Sequence, residues 1–188
     1  MDPVRTVGSG PHRRPHRREA GNLDCSEVFL DSFGRIREVV FEVLDGLSPA
    51  QLAYRVGSAA NSIAWIVWHL TRIQDDHVCG VAGRRQIWET EGWADRFSLD
   101  LDVRDTGYGH NPDQVAVVKA SADLLSGYHQ AVYENTADYL KSLTGSDLDR
   151  VVDRHWDPPV TLGVRLVSVV ADDLQHAGQA AFVRGLLP

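Results

Sequence analysis

Apolar residues recur along most of this chain at helical spacing, and no stretch of any length alternates as a strand would. From about Ser26 to Leu44, the positions Val28, Phe29, Phe33, Ile36, Val39, Val40, Val43 and Leu44 follow a 3.6-residue repeat. Asp24 or Ser26 can cap that helix and Gly46 can end it. A second helix is expected from Asn61, as N-cap, to about Ala82, with an inner stripe of Ser62, Ile66, His69, Ile73, Asp76 or His77, and Gly80. Asn111-Pro112 opens a third, running to about Leu143, with Val115, Val118, Ala122, Leu125, Tyr128 or His129, Val132, Thr136 and Tyr139 or Leu140 inside. Asp157-Pro158-Pro159 blocks regular structure and leads into Thr161, which can cap a fourth helical segment from Leu162 to Leu187.

The connections are unequal. Leu47 to Ala60 holds at most a helical turn at Ser48-Pro49, and Ser146 to Asp149 is a brief turn. Residues 83–110 are different: Trp88, Trp93, Phe97 and Tyr108 stand among glycines and charges with no period. A connection that long usually has a job. Here it can carry the chain the length of a bundle, about 30 Å for a helix of about 20 residues, so that its two flanking helices run parallel. Its aromatics are expected to pin it to the bundle and to roof a pocket, and an exposed aromatic face on it would suit a homodimer. The fold class expected is all-α, a four-helix bundle with a long crossover between the second and third helices.

Composition narrows the function classes. With 188 residues the chain is one domain, or one domain with a tail. Residues 1–22, centred on Arg13-Arg14-Pro15-His16-Arg17-Arg18, have no apolar period and are expected to be a disordered basic arm ahead of a body at 23–188. The net charge is −7, and without the arm the body is more acidic still, which argues against nucleic acid as a partner. No apolar run reaches membrane-span length and no secretory signal is visible. Cys25 and Cys79 make neither a disulfide framework nor a metal spacing, so a cytoplasmic, reduced protein is expected.

Polar residues on buried stripes then carry the chemistry. In the fourth helix one stripe reads Val169, Asp172 or Asp173, His176, Ala180, Val183, Leu187. Asp172 and His176 are four residues apart and project side by side on a helix. His69 sits on the apolar face of the second helix. Two imidazoles and a carboxylate can bind Zn²⁺, Ni²⁺, Fe²⁺ or Mn²⁺ and leave coordination positions open. Asp173 is an alternative to Asp172, and Asp76 is a candidate for supporting a ligand from behind. His77, His110, His129 and His155 are further candidate ligands.

The segments Asn61-Ser62-Ile63-Ala64-Trp65-Ile66-Val67-Trp68-His69-Leu70 and Asp172-Asp173-Leu174-Gln175-His176-Ala177-Gly178-Gln179 resemble the DinB superfamily of four-helix-bundle metalloproteins. Within it they resemble the actinobacterial branch close to mycothiol-dependent enzymes such as the maleylpyruvate isomerases. The first segment is similar to the Trp-His-Leu region whose histidine is a metal ligand. The second is similar to a His-x-x-x-His-x-Gly-Gln motif, with Asp172 where a histidine is commoner. The resemblance covers roughly residues 25–188. It implies an up-down-down-up bundle and a low-molecular-weight thiol, mycothiol or a similar sugar thiol, as cosubstrate.

The function expected is therefore a metal-dependent thiol S-transferase or isomerase. His69, Asp172 and His176 hold the metal, zinc foremost, and the metal activates the thiol against an electrophile. The alternatives are a metal-dependent hydrolase, with Asp173, Asp76 or His77 as its base, and a non-catalytic metal-binding bundle.

Overall fold

The computed structural model describes residues 24–188; the basic arm lies outside them. Its helices are α1 (Cys25–Leu44), α2 (Pro49–Leu52), α3 (Ile63–Ala82), α4 (Ile87–Thr90), α5 (Trp93–Phe97), α6 (Pro112–Val117), α7 (Ala122–Lys141) and α8 (Leu162–Gly185). The two strands β1 (Val151–Asp153) and β2 (Val160–Thr161) pair antiparallel just before α8. They are too short to have left an alternating pattern, because three residues show no period. The fold is an all-α bundle of α1, α3, α7 and α8.

Side-chain pairs give the helix directions. Arg37 reaches Gln130 at 2.9 Å, and the groove holding Glu27 on α1 also holds Lys141 on α7, so those helices are antiparallel. Thr71 meets His129 and Gln74 meets Thr136, rising in step, so α3 and α7 are parallel. Arg184 near the end of α8 donates to the Val43 carbonyl at the end of α1, so these two are parallel. The order is up-down-down-up, and the chain between α3 and α7 must travel the bundle's length.

Caps set the boundaries. Asp24 closes a capping box with Glu27 at the start of α1. Ser62, one residue later than expected, caps α3 by accepting from the Trp65 N–H, and Gly83 ends it in the left-handed conformation. The third predicted helix is broken. Asn111 caps α6 as expected, but the backbone turns extended at Val118, and Ser121 caps α7 afresh. The inward positions of that stretch survive the break: Val115, Val118, Leu125, Tyr128, Val132 and Leu140 are all buried. Thr161 caps α8 as read from the sequence.

The crossover is denser than its lack of period suggests. Trp88, Trp93 and Phe97 are buried and pack around Tyr128 at centroid distances of 5.1 to 5.8 Å. Of the four crossover aromatics named above, Tyr108 alone is exposed, so the aromatic face suited to a homodimer reduces to one ring. No helix among the described residues is long and apolar enough to cross a membrane.

Candidate metal centre

His69 comes from the buried upper half of α3 and Asp172 and His176 from the facing side of α8. A donor atom from each lies within 4.8 Å of the other two, the one such grouping among the described residues. The rings of His69 and His176 meet edge to face at 4.7 Å. Trp65, one turn before His69, stacks on it at 4.6 Å with the planes 12° apart. Asp173 points elsewhere. It is fully buried in the bundle, and burial pushes its carboxyl well above the usual range, which favours the protonated form. The tertiary structure thus separates two adjacent carboxylates that periodicity left interchangeable.

Hydrogen bonds fix the tautomers. His69 Nδ1 lies 2.5 Å from the Thr106 carbonyl oxygen, and His176 Nδ1 lies 2.8 Å from the carbonyl oxygen of Asp172. A carbonyl only accepts, so each Nδ1 carries the proton and each Nε2 keeps a free lone pair. Asp172 Oδ2 is also 3.2 Å from His176 Nδ1. That N–H is directed at the carbonyl, so the approach is a contact of charges, and Oδ2 remains buried without a hydrogen-bond partner. Burial pushes His69 below its ordinary pKa. Burial also pulls on His176, but its contacts with Asp172 outweigh this and raise it. Asp172 is lowered, because His176, and after it His69 and His77, overcome the cost of burying the carboxylate. Two imidazole Nε2 lone pairs and an orphaned carboxylate oxygen, each imidazole steadied from behind by a carbonyl, fit a divalent cation.

The crossover builds the wall behind His69. At Gly107, φ is +89° and an added Cβ would stand 2.9 Å from His69 Nδ1, 3.0 Å from Trp68 and 3.1 Å from Trp65, so only glycine fits. The Asp105 carboxylate accepts from the Gly107 N–H at 2.8 Å and from His110 Nε2 at 2.9 Å. The other nitrogen of His110 accepts from the Trp65 indole at 3.0 Å. His110, considered above as a ligand, has both nitrogens committed and instead locks the ring that stacks on His69.

A second buried group anchors this loop from below. Arg72 donates to the Asp105 carbonyl at 3.2 Å and to Gln86 at 2.6 Å, and stacks over Trp88. Asp75 accepts from the backbone of Ile87 and Trp88 and from the Tyr128 hydroxyl. Thr106, Gly107, Asp105, Arg72 and Asp75 were not singled out as site residues from sequence; the Gly107-Tyr108-Gly109 turn beside His110 was the available signal.

The remaining sequence candidates fall away from the cluster. Asp76 accepts from Gln86 and faces the α3–α8 seam with His77. His129 is buried against Thr71, where burial and the charge of Arg37 push it down to about 3. His155 is on the exposed hairpin, bonded to Asp153. Trp88 and Trp93 hold the crossover against Tyr128 rather than roof the cluster. Cys79 is buried and pushed up to about 12 by burial and Asp75.

Comparison with the curated proteins gives no match. A solved structure described as a conserved protein from Enterococcus faecalis is 30% identical, with a TM-score of 0.83 over 88% of this chain and 98% of that one. The family model described as mycothiol-S-transferase matches residues 28–188, nearly the whole described body. That match supports, in general terms, a mycothiol-related S-transferase function, and by it this chain belongs to the mycothiol-S-transferase family.

Proposed function

We propose that His69, Asp172 and His176 hold one divalent metal ion, and that the protein transfers the sulfur of a small sugar thiol, mycothiol or a close relative, to an electrophile. One observation carries this reading: a donor atom from each of His69, Asp172 and His176 lies within 4.8 Å of the other two, and one oxygen of Asp172 is buried with no hydrogen-bond partner. A divalent ion held by these three residues would lower the pKa of a thiol beside it and so supply a nucleophile at neutral pH. Zinc suits the mixed nitrogen and oxygen donors, and the carboxylate keeps nickel, iron and manganese within range.

The chain's own residues do the positioning. The carbonyls of Thr106 and Asp172 aim the imidazoles, and Trp65 with the Gly107 turn shields His69 from water. Asp172 is half-exposed, which leaves the cluster open toward the α3–α8 surface. No protein thiol competes: the Cys79 proton is held too tightly, and Cys25 lies at the start of α1. In the transfer a sulfur–carbon bond forms, the leaving group departs with its electron pair, and the thiol proton passes to solvent.

Turnover of a chlorinated bimane probe tests this, with and without mycothiol, in zinc-loaded and chelator-stripped protein. The rate should rise only when thiol and metal are both present. Hydrolysis of esters or amides by loaded protein, with no gain from thiol, would replace the transferase reading with the hydrolase.

A further inference from the structure

Two turns away from the cluster, the same seam carries a second polar group. Arg165 on α8 donates to Asp153 Oδ2 at 3.0 Å and lies 3.5 Å from His77 Nδ1 on α3. Asp153 Oδ1 is 2.9 Å from both the backbone nitrogen and the ring of His155. A cavity of about 480 Å³ opens there, lined by Asp76, His77, Asp153, His155 and Arg165, with Gly80 at its edge.

The cavity is in register with the cluster. Arg165 stands seven residues before Asp172 and His77 eight residues after His69, on helices that run antiparallel. Helical rise puts it about 10 to 12 Å from the cluster along the seam. The half-buried positions Ile73, Asp76 and His77 on α3, and Arg165, Asp172 and His176 on α8, join the two.

Charge selects the ligand class. Asp76 and Asp153 face one guanidinium, so an anion would meet a net negative cavity and a cation would meet Arg165. A neutral polyhydroxylated group suits it. Each hydroxyl can donate to a carboxylate and accept from an N–H, and Arg165 has five N–H donors with only the Asp153 and His77 contacts drawn on them. The hairpin also presents the exposed ring of Trp156, next to His155.

We propose that this cavity binds the polyhydroxylated sugar portion of the thiol, with the sulfur at the cluster and the sugar two turns along the seam. The inference rests on the transferase reading above and specifies which end of the thiol lies where. It makes Arg165 and Asp153 specificity residues that never approach the sulfur.

The experiment compares wild type with Arg165→Gln and Asp153→Asn, using mycothiol and its sugar-free fragment N-acetylcysteine. Each variant should raise KM for mycothiol at least tenfold, with the N-acetylcysteine kinetics within twofold of wild type. Because Arg165 and Asp153 also tie the hairpin to α8, circular dichroism and melting temperature are measured on each variant, and Asp76→Asn, away from that tie, should show the same selective loss. A parallel NMR titration of metal-free protein with the thiol-free glycoside glucosaminyl-inositol needs no turnover. It should show binding to wild type weakened at least fivefold in each variant. Equal losses with both thiols, no loss with either, or no glycoside binding by wild type overturns the sugar subsite. If the wild type uses neither thiol, the transferase reading has failed and the glycoside titration alone decides the subsite.

Discussion

Two buried polar groups share helix α3, one turn apart, and they are built on opposite principles. Around Arg72 and Asp75, polar atoms turn inward to one another: the Asp75 carboxylate takes the Tyr128 hydroxyl, two backbone N–H groups and the Cys79 thiol, while Arg72 bonds Gln86 and the Asp105 carbonyl. Around His69 each imidazole is satisfied at Nδ1 by a carbonyl, and Asp172 Oδ2 is buried with no partner. A buried polar atom without a partner costs about 1–3 kcal/mol, and Asp172 Oδ2 bears that cost beside two imidazoles. The first group holds the crossover in place; the second uses what the crossover positions. The Asp75 carboxylate has four donors and Asp172 Oδ2 has none, and that difference separates an internal anchor from a candidate binding site.

Paired substitutions would break that contrast most sharply. Asp75→Ala leaves Arg72 buried and unpaired, and should cost about 3–5 kcal/mol of stability in a denaturant titration. His176→Ala removes a mostly buried ring held by one carbonyl and the Asp172 carboxylate, and should cost metal-free protein about 1–2 kcal/mol, less than Asp75→Ala. It should nevertheless abolish metal retention, read by elemental analysis of untagged protein. A variant that keeps full metal content would refute the ligand assignment.

Gly107→Ala sits between the two groups. The new Cβ must displace the His69 ring or the loop, at a φ that L-residues rarely adopt. Metal affinity should fall about 10- to 100-fold by competition with a chromophoric chelator, as for the loss of an outer partner of a ligand. Unchanged affinity would show that the crossover does not aim His69.

His129 is a third case, a buried imidazole belonging to neither group. Its folded pKa is depressed from 6.5 to about 3, by burial first and then by Arg37. The unfolded chain therefore takes up a proton below about pH 6.5 that the folded protein refuses. The stability it contributes is complete above that pH and is lost as pH falls toward about 3, at about 1.4 kcal/mol per unit. His129→Gln should flatten the fall in stability between pH 6 and 4 by about 2–3 kcal/mol relative to wild type, measured by urea unfolding. Parallel curves would place His129 in contact with water.

Much of this was legible in the residues. Helical period placed all four long helices, because each must bury one stripe and the stripe repeats in sequence. The i, i+4 spacing of Asp172 and His176 put two of the three clustered side chains together by local geometry alone. What periodicity could not do was choose Asp172 over Asp173, since adjacent residues on a helix differ by about 100° and both fit a broad stripe. Only the packing of α8 against its neighbours turned Asp173 into the core and Asp172 toward His69. The break between α6 and α7 was hidden for a related reason: the apolar positions stay in phase across it, and only the Ser121 cap marks it.

The sequence by itself determined the bundle, the crossover's purpose and the residue types of the cluster, because hydrophobic period, caps and i, i+4 spacing are local properties of the chain. The tertiary structure decided the rest. The carbonyl of Thr106 and the turn at Gly107 meet His69, and Asp105 and His110 hold Trp65 against it, all from 36 or more positions away in sequence. The carbonyl is common to every residue, and the Gly107-Tyr108-Gly109 run announces a turn without saying what it packs against. Their contribution exists only where the crossover folds back on α3, and that return is set by Arg72 and Asp75, whose partners are again backbone atoms of the loop they hold.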